Sequence, residues 1–176
     1  MESEEAVRDN IRVEIEGLDE FMKKVEKASD GFQKEVELWL EGAGMQFLEE
    51  VQRMIKAMQV VDTRRLLNSF DKGGEDNVWE KSFNGLQLTI GTNVEYAGYV
   101  NDGHWTDDPS KGRKSRFVPG TWSGSKFIYK PNANTGMVLQ LQYIQPRPYF
   151  DNAKTVFEAM FGRSFENKLK DWAGKF

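Results

Sequence analysis

The chain has 176 residues, of which 39% are hydrophobic, with 12 Phe, 5 Trp, no Cys and a net charge of −4. That length fits one domain that buries roughly 70% of its unfolded surface without staples. The absence of Cys excludes disulfides and thiolate metal sites, no apolar run approaches the ~20 residues of a membrane span, and the mildly acidic total argues against a general nucleic-acid binder.

The charge is unevenly spread. Residues 1–110 hold 24 acidic and 12 basic side chains, whereas residues 111–176 hold 4 and 12. One reading is solvated faces of different sign. The other is a subunit whose oppositely charged sides associate head to tail in a ring, steered by complementary potentials.

Residues 1–10 are acidic, lack the basic and apolar regions of a leader, and read as mobile. The expected compartment is the cytoplasm, or a larger body assembled there. Ile11, Val13 and Ile15 alternate with charged residues and predict a first strand. Leu18, Phe21, Met22, Val25 and Ala28 recur at helical spacing. Asp30 can cap a longer helix whose stripe runs from Phe32 through Val36, Trp39, Leu40, Ala43, Phe47, Val51 and Ile55 to Met58. Gly42 and Gly44 inside it each cost ~1 kcal/mol against Ala and predict a bend or a close crossing. Asp62 and Thr63 can start a short helix, Arg64 to Phe70.

A hairpin turning at Asn84-Gly85 follows, with Leu86, Leu88 and Ile90 on one face of its second strand. Tyr96, Ala97, Tyr99 and Val100 read as a further extended piece. Residues 104–126 read as one long loop, which a compact domain keeps for function or leaves disordered. Phe127 to Tyr129 and Leu139 to Tyr143 read as strands. Pro146 and Pro148 force an extended corner. Asp151 is the expected cap of a last helix carrying Ala153, Phe157, Phe161, Phe165, Leu169 and Trp172. The fold class is α+β. Residues 11–176 form a single domain in which an antiparallel sheet of about four to five strands packs against a long N-terminal helix and a C-terminal helix.

Catalytic signals are weak. His104 is the one histidine, and with Asp102, Asp107 and Asp108 it could be drawn as the centre of a small metal-dependent hydrolase. It lacks a partner His and ligand spacing, so a plain loop histidine is the stronger reading. No nucleophile elbow, phosphate loop or dinucleotide fingerprint occurs. No cofactor, metal, catalytic residue or membrane partner is assigned. The loop itself mixes Lys111, Arg113, Lys114 and Arg116 with Trp105, Trp122 and Phe127. These seven are the candidate contact residues. A neighbouring acidic subunit is the favoured partner, and non-specific DNA contact is the alternative.

Three stretches carry a family resemblance. They are Val61-Asp62-Thr63-Arg64-Arg65-Leu66-Leu67-Asn68-Ser69-Phe70, then Ile90-Gly91-Thr92 through Tyr96-Ala97 to Asn101-Asp102-Gly103, then Gln145-Pro146-Arg147-Pro148-Tyr149-Phe150 before the last helix. Together they resemble the gene-product-ten-like family of HK-type tailed phages and prophages, described as minor tail components or neck (tail-completion) proteins. Arg64 stands where the family usually has Gly, and Tyr149 where it usually has Phe. The positions that carry the match are Asp62, Thr63, Leu66, Ser69, Gly91, Tyr96, Ala97, Gly103, Pro146, Pro148 and Phe150. The resemblance implies a structural protein of the head–tail junction. It implies assembly in the host cytoplasm and residence in the virion. It also implies a homo-oligomeric ring, compatible with a monomer in isolation, touching head-connector and tail proteins.

Overall fold

The computed structural model describes residues 11–16, 30–60, 64–82 and 85–174. The residues 1–10, the helical pattern from Leu18 to Ala28, Val61 to Thr63, and Asn84 of the expected hairpin turn lie outside them. The chain divides into two compact units, residues 1–102 with 147–176 and residues 103–146. The architecture is α+β throughout, with all strand pairs antiparallel and the strands shared among three sheets.

In the larger unit, α1 (Asp30–Ala57) follows the apolar stripe expected of it. Phe32, Val36, Leu40, Phe47, Val51 and Ile55 are buried, and each such side chain stabilises by about 1.5–3 kcal/mol. The helix lies on a three-stranded sheet made by β1 (Ile11–Ile15), β2 (Asn77–Ser82) and β3 (Gln87–Thr92), with β3 in the middle. Gly44 is the crossing point. A Cβ there would stand 2.5 Å from Leu88 Cδ2, 2.8 Å from Trp79 Cη2 and 2.9 Å from Ile90 Cδ1, so only glycine lets helix and sheet meet. Gly42 has no such reason, since its Cβ would meet nothing within 4 Å.

The last helix, α4 (Tyr149–Ala173), packs on α1 through aromatic rings. Trp39 lies 5.1 Å from Phe161 and 5.5 Å from Phe165, centre to centre, and Phe47 contacts Phe150 and Phe157 edge-on. The Trp39 indole N–H donates to Ser164 Oγ at 3.2 Å.

The described parts of the three stretches that carry the resemblance, from Arg64 onward in the first, meet at one end of this core. Ser69 Oγ donates to Leu66 O, Thr92 Oγ1 donates to Ser69 Oγ at 2.8 Å, and Val94 N–H donates back to Thr92 Oγ1. Phe70 packs against Tyr149 and Phe150, and the Tyr149 hydroxyl donates to Ala97 O at 3.3 Å. Arg147 N–H donates to Val100 O, and its guanidinium to Gln59 O. The short helix α2 (Arg65–Asn68) begins after Arg64, which holds φ 61°, a left-handed conformation.

Three expectations need correction. Tyr96 to Val100 is not extended: Ala97–Asp102 is a helix, α3, because Ala97, Gly98 and Asn101 point inward at helical spacing. The Asp151 side chain is not the cap of α4. The N–H of Phe150 donates to Asn101 Oδ1, brought in from α3. Residues 104–126 are not a loop.

That segment opens the smaller unit. It holds β4 (His104–Trp105), a 3-10 turn (Pro109–Lys111) and the nine-residue β5 (Ser115–Ser123). β6 (Lys126–Tyr129), β7 (Gly136–Gln140) and β8 (Tyr143–Ile144) follow. β5 pairs with β7 over Ser115–Pro119 and with β6 over Gly120–Ser123. Pro119-Gly120, which resembles a turn signal, falls where β5 changes partner, so the N–H that proline lacks is at the end of a ladder. β4 and β8 form a separate ribbon. Thr106 ties it to β7, donating its hydroxyl to Gln140 O at 2.6 Å. Gly103 holds φ +75°, and a Cβ there would sit 2.7 Å from both Ile144 O and Tyr143 Oη.

Candidate functional site

The smaller unit has no hydrophobic core of its own. No hydrophobic side chain between residues 103 and 146 is buried. Because paired residues of antiparallel strands share a face, the register sorts the β6-β5-β7 sheet. One face carries Phe117, Val138 and Ile128; the other carries Trp122, Phe127 and Tyr129 with Arg116. Phe117 is 56% exposed, Val138 59% and Trp122 57%. A sheet normally buries at least one face against a second layer; within the smaller unit, this one has none.

Two diagonal ring contacts hold the strands together. The Phe127 ring lies over Gly120 and the Phe117 ring over Gly136, each within 2.6 Å of where a Cβ would be. Trp122 and Phe127 sit directly opposite one another with centroids 5.3 Å apart. Trp105 stands apart from them on the β4–β8 ribbon, 5.4 Å from the Tyr143 ring. The structure therefore brings Arg116, Trp122 and Phe127 to one sheet face and leaves Trp105 on another element.

The basic residues also divide. Arg113 pairs with Asp107 at 3.0 Å, and Lys111 lies 3.7 Å from Asp108. Asp108 additionally accepts the Ser110 backbone and hydroxyl hydrogen bonds. These Ser110 bonds, and then the Lys111 charge, hold its carboxyl below the usual range. Lys111 and Arg113 thus shape the turn before β5. Lys114 and Arg116 make no ion pair among the described residues, and neither do Lys126 and Lys130. The last two were not among the expected contacts, although their alternation around Ile128 and the Gly124-Ser125 pair before them form a readable hairpin signal. Of the 24 Lys and Arg, six fall within 103–146, against two of the 28 Asp and Glu. The smaller unit is therefore +4 and the rest of the chain −8.

Asp107 and Asp108 are engaged as described, and His104 lies opposite Ile144 in the ribbon. Among the described residues no cluster of three or more His, Asp or Glu is arranged to hold a metal ion. Among the same residues no helix is long and apolar enough to cross a membrane.

Residues 19–103 match the family model described as "Bacteriophage HK97-gp10, putative tail-component". The chain is 46% identical over 162 residues to "Uncharacterized protein YqbI" of Bacillus subtilis (strain 168), covering 91% of this chain and 97% of that one. It is 45% identical over 150 residues to "Phage-like element PBSX protein XkdI" of the same organism, covering 85% and 91%. No solved structure matches it.

Proposed function

This chain belongs to the HK97-gp10-like family of phage tail components, and from that premise we propose that it is a tail-completion or neck subunit. In this reading it works at the junction of head and tail as one copy in a ring. It is a structural part of a phage or prophage particle, and it works by fitting against its neighbours rather than by transforming a substrate. Assembly takes place in the host cytoplasm and the product resides in the virion.

One observation carries the reading. The smaller unit exposes large apolar side chains on both sheet faces, buries none, and is positive, while the remainder of the chain is negative. A second chain can supply the layer that such a sheet lacks within its own unit. Two smaller units would repel, whereas a basic unit against an acidic one attracts. Contacts that use two different patches close into a ring when the rotation per subunit divides a full turn. The remaining sheet face, with Trp122, Tyr129 and Arg116, is left for head-connector or tail proteins.

The test is charge reversal of Lys114, Arg116, Lys126 and Lys130 to Glu in cells producing the particle. Heads and tails then accumulate unjoined in electron micrographs, while the purified variant keeps its circular dichroism and melting temperature. Normal numbers of joined particles from a correctly folded variant would contradict the proposal. A second reading, DNA contact in the channel, is favoured by the same four cations lacking ion-pair partners among the described residues. It requires DNA affinity that falls steeply with salt, with a slope near −0.9 per phosphate neutralised. The assembly reading expects little affinity at physiological salt.

A further inference from the structure

We infer that the sheet face carrying Phe117, Val138 and Ile128 seats on the outer stripe of α1 in a second copy of this chain, across Leu38, Gly42 and Met45. The inference rests on the assembly reading above and names the receiving surface for it.

The donor face is set by register. Phe117 is opposite Val138, and Thr121 is opposite Ile128, so all four residues point the same way. Lys126, opposite Ser123, joins that face. Lys130, whose N–H donates to Pro119 O, continues the alternation, so two lysines bracket Ile128. Their separation along the strand is about 13 Å.

The receiving stripe is set by helical period. Leu38, Gly42 and Met45 stand at i, i+4 and i+7, on one line of α1, with Leu38 57% exposed. Leu38 and Met45 are about 10 Å apart along the axis, so both fall within the length of strand that the two lysines bracket. Gly42 is the informative residue. Glycine in a helix interior costs ~1 kcal/mol against alanine, and the monomer offers no reason for it, since a Cβ would meet nothing within 4 Å. Gly44, two residues on, is fully accounted for by the sheet beneath it. Close approach by another chain supplies the missing reason. Glu41 and Glu49 flank the stripe. Glu41 is already held by Lys81 at 2.7 Å, whereas Glu49 has no ion pair among the described residues and is placed for a lysine from the incoming sheet.

Because the chain has no native Cys, paired cysteines test this directly. Particles are made with a Gly42→Cys, Ile128→Cys double variant and treated with a short bis-maleimide. The expected product is a ladder of covalently linked copies, absent from either single variant. Particles that form normally but yield no ladder would overturn this seat. If a general amine cross-linker on the same particles still links the copies, the ring reading survives; if it does not, that reading falls too. Gly42→Trp gives a second route. It should melt at or slightly above the parent, yet lower the number of joined particles at least tenfold. An unchanged yield would equally overturn the seat.

Discussion

Asn101 Oδ1 accepts the backbone N–H of Phe150 at 3.0 Å, so a buried side chain on α3 caps the first turn of a helix at a residue 49 positions further along the chain. The same amide donates to Asp151 Oδ2 at 2.8 Å and to Asp102 Oδ1 at 2.6 Å. One residue therefore closes the core of the larger unit on both sides of the point where residues 103–146 leave and return. Replacing it by Ala leaves the buried Phe150 N–H without this acceptor and removes one donor each from Asp151 and Asp102, at a cost of about 2–3 kcal/mol. Chemical denaturation measures this. Asn101→Asp should be worse at neutral pH, because three carboxylates would then crowd together. Its deficit should shrink as the pH falls and the new carboxyl protonates.

The two glycines of α1 should respond in opposite directions. Gly44→Ala drives a methyl into Leu88, Trp79 and Ile90, and overpacking of this kind costs about 1–3 kcal/mol. Gly42→Ala enters open space and should raise stability by about 1 kcal/mol. Paired melting curves decide it. Equal effects of the two substitutions would contradict the packing described.

Arg64 occupies a left-handed conformation at φ 61°, which costs a residue with a Cβ roughly 1–2 kcal/mol. Arg64→Gly relieves that strain but adds freedom to the unfolded chain, so the net gain should be about 0.5–1 kcal/mol. The unfolding midpoint in urea should rise.

Much of this was legible from the sequence, and the omissions have physical causes. The stripes of α1 and α4 were readable because both helices bury one face at a 3.6-residue period. Gly44 was readable as a close crossing because it interrupts such a stripe. Gly42 was indistinguishable from it in sequence, since only the surroundings separate the two. Tyr96, Tyr99 and Val100 favour strands by composition, and tertiary burial of Ala97 and Asn101 overrides that preference. β5 was hidden by Pro119-Gly120, which means a turn in most contexts and here marks a change of strand partner. In sequence the candidate contact residues read as a basic, aromatic loop. In the structure Lys111 and Arg113 pair with Asp108 and Asp107, and Lys126 and Lys130 stand on the exposed sheet. Ion pairing between residues six apart in an irregular turn leaves no periodic trace.

Acid should weaken the larger unit. Lys34 and then Lys81 hydrogen-bond Glu37 and hold its carboxyl below its ordinary 4.5, and Lys81 does the same for Glu41. Arg65, bidentate to Asp76, holds that carboxyl below 3.8. Depressed values mean that these pairs contribute above the ordinary carboxylate range and are lost as pH falls through the folded values. Lys81 is raised, so its contribution is complete below 10.5 and is lost above the folded value. The melting temperature should be level from about pH 5 to 9 and decline outside that window. The acid decline should be shallower in Lys81→Met, and modest overall, because these pairs face solvent.

The central claim is that residues 103–146 exist to be covered by another copy. The most direct test is a side-chain-resolution electron-microscopy map of the assembled particle. The account predicts a closed ring at the head–tail junction, with Phe117, Val138 and Ile128 of each copy buried against the next. A map showing those three side chains open to solvent, or the protein present as isolated copies, would contradict it.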